Sequence, residues 1–175
     1  MKKNYLLFFI LGFIIISSCT KKDTEIRLSE FETPTITGVN LRGFDGSDYG
    51  TIGVPNIKQG NESNDYHSAY YFTFYPNPSA ERIFVYIKTP TEGELKKLWI
   101  VQANWDNQVS GDWMGLNNAT NITVGGSPLV HDEFTPGGIA IELSHFAEGY
   151  YRIYLEVNGH LLYDNLIINK SKVFR

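Results

Sequence analysis

YYRIYLEVNGHLLYDNLIIN, residues 150–169, alternates apolar and polar side chains with a period of two. Successive side chains in a strand point to opposite faces, so Tyr151, Ile153, Leu155 and Val157 share one face and Arg152 and Glu156 the other. Asn158-Gly159 interrupts the pattern with two residues that tolerate positive φ, the signature of a two-residue hairpin turn. The stretch therefore predicts two antiparallel strands closed by a tight turn. The same period recurs upstream in AYYFTFY (69–75), RIFVYIKT (82–89), LKKLWIVQA (95–103), TNITV (120–124) and GIAIEL (138–143). In RIFVYIKT, Ile83, Val85 and Ile87 alternate with Arg82, Phe84, Tyr86 and Lys88. No window of comparable length reads as an amphipathic helix. About seven short strands over roughly a hundred residues predict an all-β fold, a single immunoglobulin-like antiparallel β-sandwich spanning residues 70–170.

Ahead of the sandwich the chain divides into three parts. Lys2 and Lys3 precede an apolar run from Tyr5 to Ile16, shorter than the ~20 residues of a membrane-spanning helix, so residues 1–18 read as a signal peptide. The run ends in Ile16-Ser17-Ser18-Cys19, which resembles the lipobox of bacterial lipoprotein precursors. That resemblance implies lipidation at Cys19 and a chain held to the outer membrane, on its periplasmic or its cell-surface face. Residues 19–35 are polar, charged and aperiodic, and read as a lipidated flexible tether. Residues 36–69 are rich in Gly, Asn, Asp and Ser and are expected to form a long loop with one or two short strands.

Composition excludes several functions. The full chain has 15 basic and 19 acidic residues, a net charge of −4, and loss of Lys2 and Lys3 with the leader takes it to −6 (13 basic against 19 acidic). Nucleic-acid phosphates call for clustered Lys and Arg, and no such cluster is present. One cysteine precludes an internal disulfide, so the mature domain depends on its core.

Tyr75-Pro76-Asn77-Pro78 before a strand, then Leu143-Ser144-His145-Phe146 with Glu148-Gly149-Tyr150, and finally Leu166-Ile167-Ile168-Asn169-Lys170, resemble the C-terminal sorting domains of the Bacteroidetes type IX secretion system. The likeness covers about residues 72–170. It implies a sandwich fold, and either a lipoprotein that uses this fold as a stand-alone domain or cargo of that secretion system. The stretch after Trp99 departs from the family, lacking its Asp-Leu-x-Gly-type turn. Independently of the family, Pro76 and Pro78 fix φ and remove two backbone donors, so the segment must turn rather than continue a ladder.

The chemistry-bearing residues are sparse. His67, His131, His145 and His160 have no metal-ligand spacing, no G-x-S-x-G elbow occurs, and the sole thiol is assigned to lipid. His131-Asp132-Glu133 reads as a solvated turn between strands, and no enzyme activity or cofactor is expected. Asp45-Gly46-Ser47-Asp48 gathers oxygen ligands but lacks the calcium-loop spacing and its closing Glu, leaving a turn as the simpler reading. Trp105 and Trp113 lie in the loop-like WDNQVSGDW beside amides and carboxylates, where indoles serve as ligand contacts or fold back over a sandwich edge. The expectation is a non-catalytic, lipid-anchored envelope lipoprotein acting as a structural or protein-interaction module. Its partners are the membrane through the lipid and an envelope protein. The alternatives are a polysaccharide-binding module using Trp105 and Trp113, and type IX cargo.

Overall fold

The computed structural model describes residues 33–106 and 130–171, and no helix occurs among them. Cys19, Trp113 and the TNITV segment lie outside the described residues. The strands are β1 (Thr35–Ile36), β2 (Gly38–Arg42), β3 (Asp48–Gly53), β4 (Tyr71–Tyr75), β5 (Arg82–Lys88), β6 (Lys96–Gln102), β7 (Asn104–Trp105), β8 (Val130–Phe134), β9 (Gly138–Glu142), β10 (Gly149–Val157) and β11 (His160–Ile168). The hairpin expected from residues 150–169 forms, with β10 and β11 antiparallel from Gly149↔Ile168 to Val157↔His160. Its turn residues take φ of 48° at Asn158 and 76° at Gly159, the left-handed values that the Asn-Gly pair accommodates.

Two antiparallel sheets carry the fold, one ordered β11-β10-β6-β8 and the other β4-β5-β9. Their inner faces meet in one core. Phe72, Phe74, Ile83, Val85, Ile87 and Ile141 project from the three-stranded sheet. Leu98, Ile100, Tyr151, Ile153, Leu155, Val157, Leu162, Leu166 and Ile168 project from the four-stranded one. The inward set read from the alternation of β10 is therefore the observed one. Four strands over three, with the chain crossing between sheets after β5, β8 and β9, is the expected β-sandwich.

The outer face of β10 is covered as well. β1 runs parallel to β7, and the β2–β3 hairpin packs so that Ile36, Val39, Ala103, Trp105, Tyr150 and Ile167 form a second apolar cluster. Segment 36–69 holds two short strands, β2 of five residues and β3 of six, followed by a long loop, as its composition predicts. β1 also begins at Thr35, inside the stretch read as tether. A further correction concerns His131-Asp132-Glu133, which belongs to strand β8 rather than to a turn, because its backbone pairs with β6 through Trp99↔His131 and Leu98↔Asp132.

Buried polar groups stitch the amino-terminal segment to the sandwich. Arg42 of β2 reaches Asp164 of β11 at 2.8 Å, and the same carboxylate oxygen accepts from Gln59 Nε2 at 2.8 Å. Arg152 donates to the side chain of Asn165 and to the carbonyls of Thr35 and Asn56, with its guanidinium over the Tyr163 ring. Asn77, only 1% exposed, is the knot of the Tyr75–Pro78 turn. Its backbone exchanges two hydrogen bonds of 2.9 Å with Arg42. Its Nδ2 donates to the carbonyls of Asn40 (2.8 Å) and Asn165 (3.0 Å), and its Oδ1 accepts from the Ile167 N–H (3.0 Å). The Tyr75-Pro76 and Asn77-Pro78 peptides are both cis. The turn that joins β4 to β5 therefore also fastens one sheet to the other and to β2.

Candidate functional site

The sequence places Phe84 and Tyr86 in phase with Arg82 and Lys88, on the solvent side of β5, and the structure keeps them there. Phe84 is 44% and Tyr86 39% exposed. Register brings β4 residues alongside them, pairing Tyr75 with Phe84, Thr73 with Tyr86 and Tyr71 with Lys88. On the other flank, β9 sets Ala140 beside Phe84 and Gly138 beside Tyr86. A Cβ at Gly138 would lie 2.8 Å from the Val85 carbonyl oxygen, so the close approach of β9 to β5 requires glycine there. The outcome is a ridge of aromatic rings between low rows of Thr, Ala and Gly.

The ridge extends at both ends. Tyr66, 55% exposed, comes from the loop before β4, stacks against Tyr86 at 6.3 Å and meets Tyr71 edge-on at 6.0 Å. Tyr75 tilts against Phe84 at 6.0 Å, and the β2–β3 turn abuts the Tyr75 ring at Gly46, with exposed Phe44 and Tyr49 beyond it. The cations bordering this surface are committed. Lys88 Nζ donates to the Tyr66 carbonyl at 2.7 Å and sits over its ring at 4.5 Å, and Arg82 is bonded to Glu142. The phenol oxygens of Tyr66 and Tyr86 lie 3.3 Å apart, and that hydrogen bond, followed by desolvation, holds the Tyr86 phenol above its ordinary pKa.

Beside Tyr86 the surface drops into a cleft of about 720 Å³. Its walls are Tyr86, Lys88 and Thr89 on one side, Glu92 and Gly93 from the β5–β6 loop, and Thr135 to Gly138 from the β8–β9 loop. Lys96 closes the cleft from within. Its buried ammonium donates to the carbonyls of Glu94 and Thr135, both at 2.8 Å, tying the two loops together.

The residues singled out from sequence lie elsewhere. Trp105 is 5% exposed and stacked on Tyr150 at 4.7 Å, inside the second apolar cluster, which removes it from any exposed pair of indoles. Asn and Asp flank it as in a loop, whereas pairing of β7 with β1 makes it a strand residue with an inward side chain. Asp45 and Asp48 spend their carboxylates locally, Asp45 accepting from Ser47 N and Oγ and Asp48 from Gly50 N. These bonds from Ser47 hold the Asp45 pKa below its usual value. Among the described residues no group of three His, Cys, Asp or Glu side chains is placed to hold a metal ion. The aromatic ridge was missed although its signal was present: large rings at the polar phase of an alternating strand.

Compared with protein-family models and with curated proteins, the chain matches none.

Proposed function

We propose that this chain is a non-catalytic, lipid-anchored envelope lipoprotein whose sandwich serves as a structural or interaction module, with the outer face of β4-β5-β9 as its working surface. The observation that carries the reading is the exposed cluster of Tyr66, Phe84 and Tyr86, flanked by the half-buried Tyr71 and Tyr75, on the polar side of β5. Rigid aromatic side chains contribute most to recognition because they bury much area for little lost rotamer freedom. A lipid at Cys19 confines the module to one membrane surface and raises its effective concentration for partners there. The likeness to type IX sorting domains is read as shared architecture, with Asn77 in a packing role. Cys19→Ala is expected to move the protein from the membrane pellet to the soluble fraction. Mass spectrometry of the mature wild type is expected to find a lipidated Cys19 and a chain still ending at Arg175. An unchanged pellet for the variant refutes the anchor, and a processed C-terminus supports secretion cargo instead.

A further inference from the structure

The two poles of the sandwich are chemically different. Thr35 and Ile36 pair with Asn104 and Trp105, beyond the end of β6, whereas Lys96 at its start borders the cleft. Eight residues of extended chain separate these points, about 25 Å at the usual rise of a strand. The tether therefore joins the sandwich at the Tyr75–Pro78 end, and the cleft opens at the far end beside the Asn158-Gly159 hairpin. The chain from Cys19 to Thr33 reaches at most about 50 Å.

The lining of the cleft selects among ligands. Its volume falls within the range of small-molecule sites. One wall is Tyr86, continued outside by Tyr66, with Thr89 beyond it, and the facing loops bring the polar side chains of Glu92 and Thr135, the Pro136 ring and the main chain of Gly137 and Gly138. Of the two aliphatic lining residues, Ile87 is buried in the core and Pro136 alone is exposed, so an apolar peptide finds no groove of aliphatic side chains. The Lys96 ammonium is buried and Lys88 is held over the Tyr66 ring, so the most exposed charge lining the cleft is the Glu92 carboxylate, which disfavours a phosphate or carboxylate ligand. Glu92 is exposed and its carboxylate makes no hydrogen bond among the described residues, leaving two oxygens as acceptors for hydroxyl groups. A ring with an apolar C–H face and a rim of hydroxyls satisfies both walls at once.

We propose that this cleft binds a neutral saccharide chain, one sugar ring lying on Tyr86 and its hydroxyls reaching Glu92, Thr89 and Thr135. This rests on the interaction-module reading above and names the ligand of that surface. The aromatic face attracts the partly positive C–H bonds of the ring, and the carboxylate of Glu92 disfavours acidic sugars.

The test uses the full chain purified in detergent and isothermal titration calorimetry. Its probes are neutral hexasaccharides (β-1,4-glucan, β-1,3-glucan, β-1,4-xylan, β-1,4-mannan and α-1,4-glucan) with a galacturonate hexamer as acidic control. At least one neutral probe is expected to bind, and the acidic one to bind more weakly. Tyr86→Ala is expected to weaken binding about tenfold, the loss of one stacking contact. Glu92→Gln is expected to weaken it several-fold, while Val54→Ala, at an exposed position outside the ridge and the cleft, leaves it unchanged. Each variant is checked for an unaltered circular dichroism spectrum. No heat with any neutral probe at millimolar concentration overturns the proposal, as does binding indifferent to Tyr86→Ala. Cross-linking that captures an envelope protein through Tyr86 while every saccharide stays silent also overturns it, and assigns the face to protein docking. Fractionation of Cys19→Ala reads the anchor without reference to sugar, so the two readings fail separately.

Discussion

Replacing Asn77 by Ala removes three side-chain hydrogen bonds at a site 1% exposed. An ordinary bond contributes about 0.5–1.5 kcal/mol net, and a buried N–H left without a partner costs about 1–3 kcal/mol. The Ile167 N–H is stranded in this way, and the Asn40 and Asn165 carbonyls each lose a donor. The sum is roughly 3–5 kcal/mol, a large part of the ~5–15 kcal/mol that holds a typical domain folded. For a domain of this size that corresponds to a melting temperature lower by about 10 °C. Urea unfolding of the full chain in detergent, followed by tryptophan fluorescence, measures it directly. Asn104→Ala is the matched control, since Asn104 is exposed and its side chain makes no hydrogen bond among the described residues, and its effect should stay within about 0.5 kcal/mol. If Asn77→Ala costs under about 1 kcal/mol, the turn is an ornament on β4–β5 and the account of it as an inter-sheet fastener is wrong.

Two other perturbations test separate parts of the structure. Trp105→Ala should destabilise by about 3–5 kcal/mol through lost burial against Tyr150, Ile36 and Ile167, and leave any ligand affinity untouched; a stability change near zero would return Trp105 to the surface. Tyr66→Phe should lower the Tyr86 phenol pKa toward the ordinary tyrosine value in an NMR titration with ring-labelled tyrosine, leaving the burial-raised phenols of Tyr71 and Tyr151 unmoved. The sign follows from the raised folded-state value: the Tyr66–Tyr86 bond contributes stability below the unfolded tyrosine pKa of about 10, and that contribution disappears as pH rises through the folded one. An unshifted Tyr86 in the variant would show that the phenols do not share a hydrogen bond.

Legibility differed from element to element. The β10–β11 hairpin was readable because its causes are local: alternation that buries one face, and a turn whose two residues accept positive φ. β8 was not, because VHDEF has the composition of a turn and becomes a strand only through backbone bonds to β6. Trp105 failed for the same reason, a two-residue strand having too short a pattern to detect. The aromatic ridge was half legible. Phe84 and Tyr86 announce themselves as rings on the polar side of β5, but Tyr66 is 20 residues from the Tyr86 it stacks on, in a segment with no period.

By itself, the sequence determined the all-β class, the inward face of most strands and the turn positions, since each depends on neighbours two or three residues apart. The tertiary structure alone decided that the amino-terminal segment covers the outer face of β10. It also decided that Arg42, Gln59 and Asp164 are buried rather than surface residues, and that the rings of β4, β5 and the preceding loop line up beside a cleft. The physical reason is distance along the chain: Arg42 and Asp164 are separated by 122 positions, and a charge can be buried only where folding brings its partner to it.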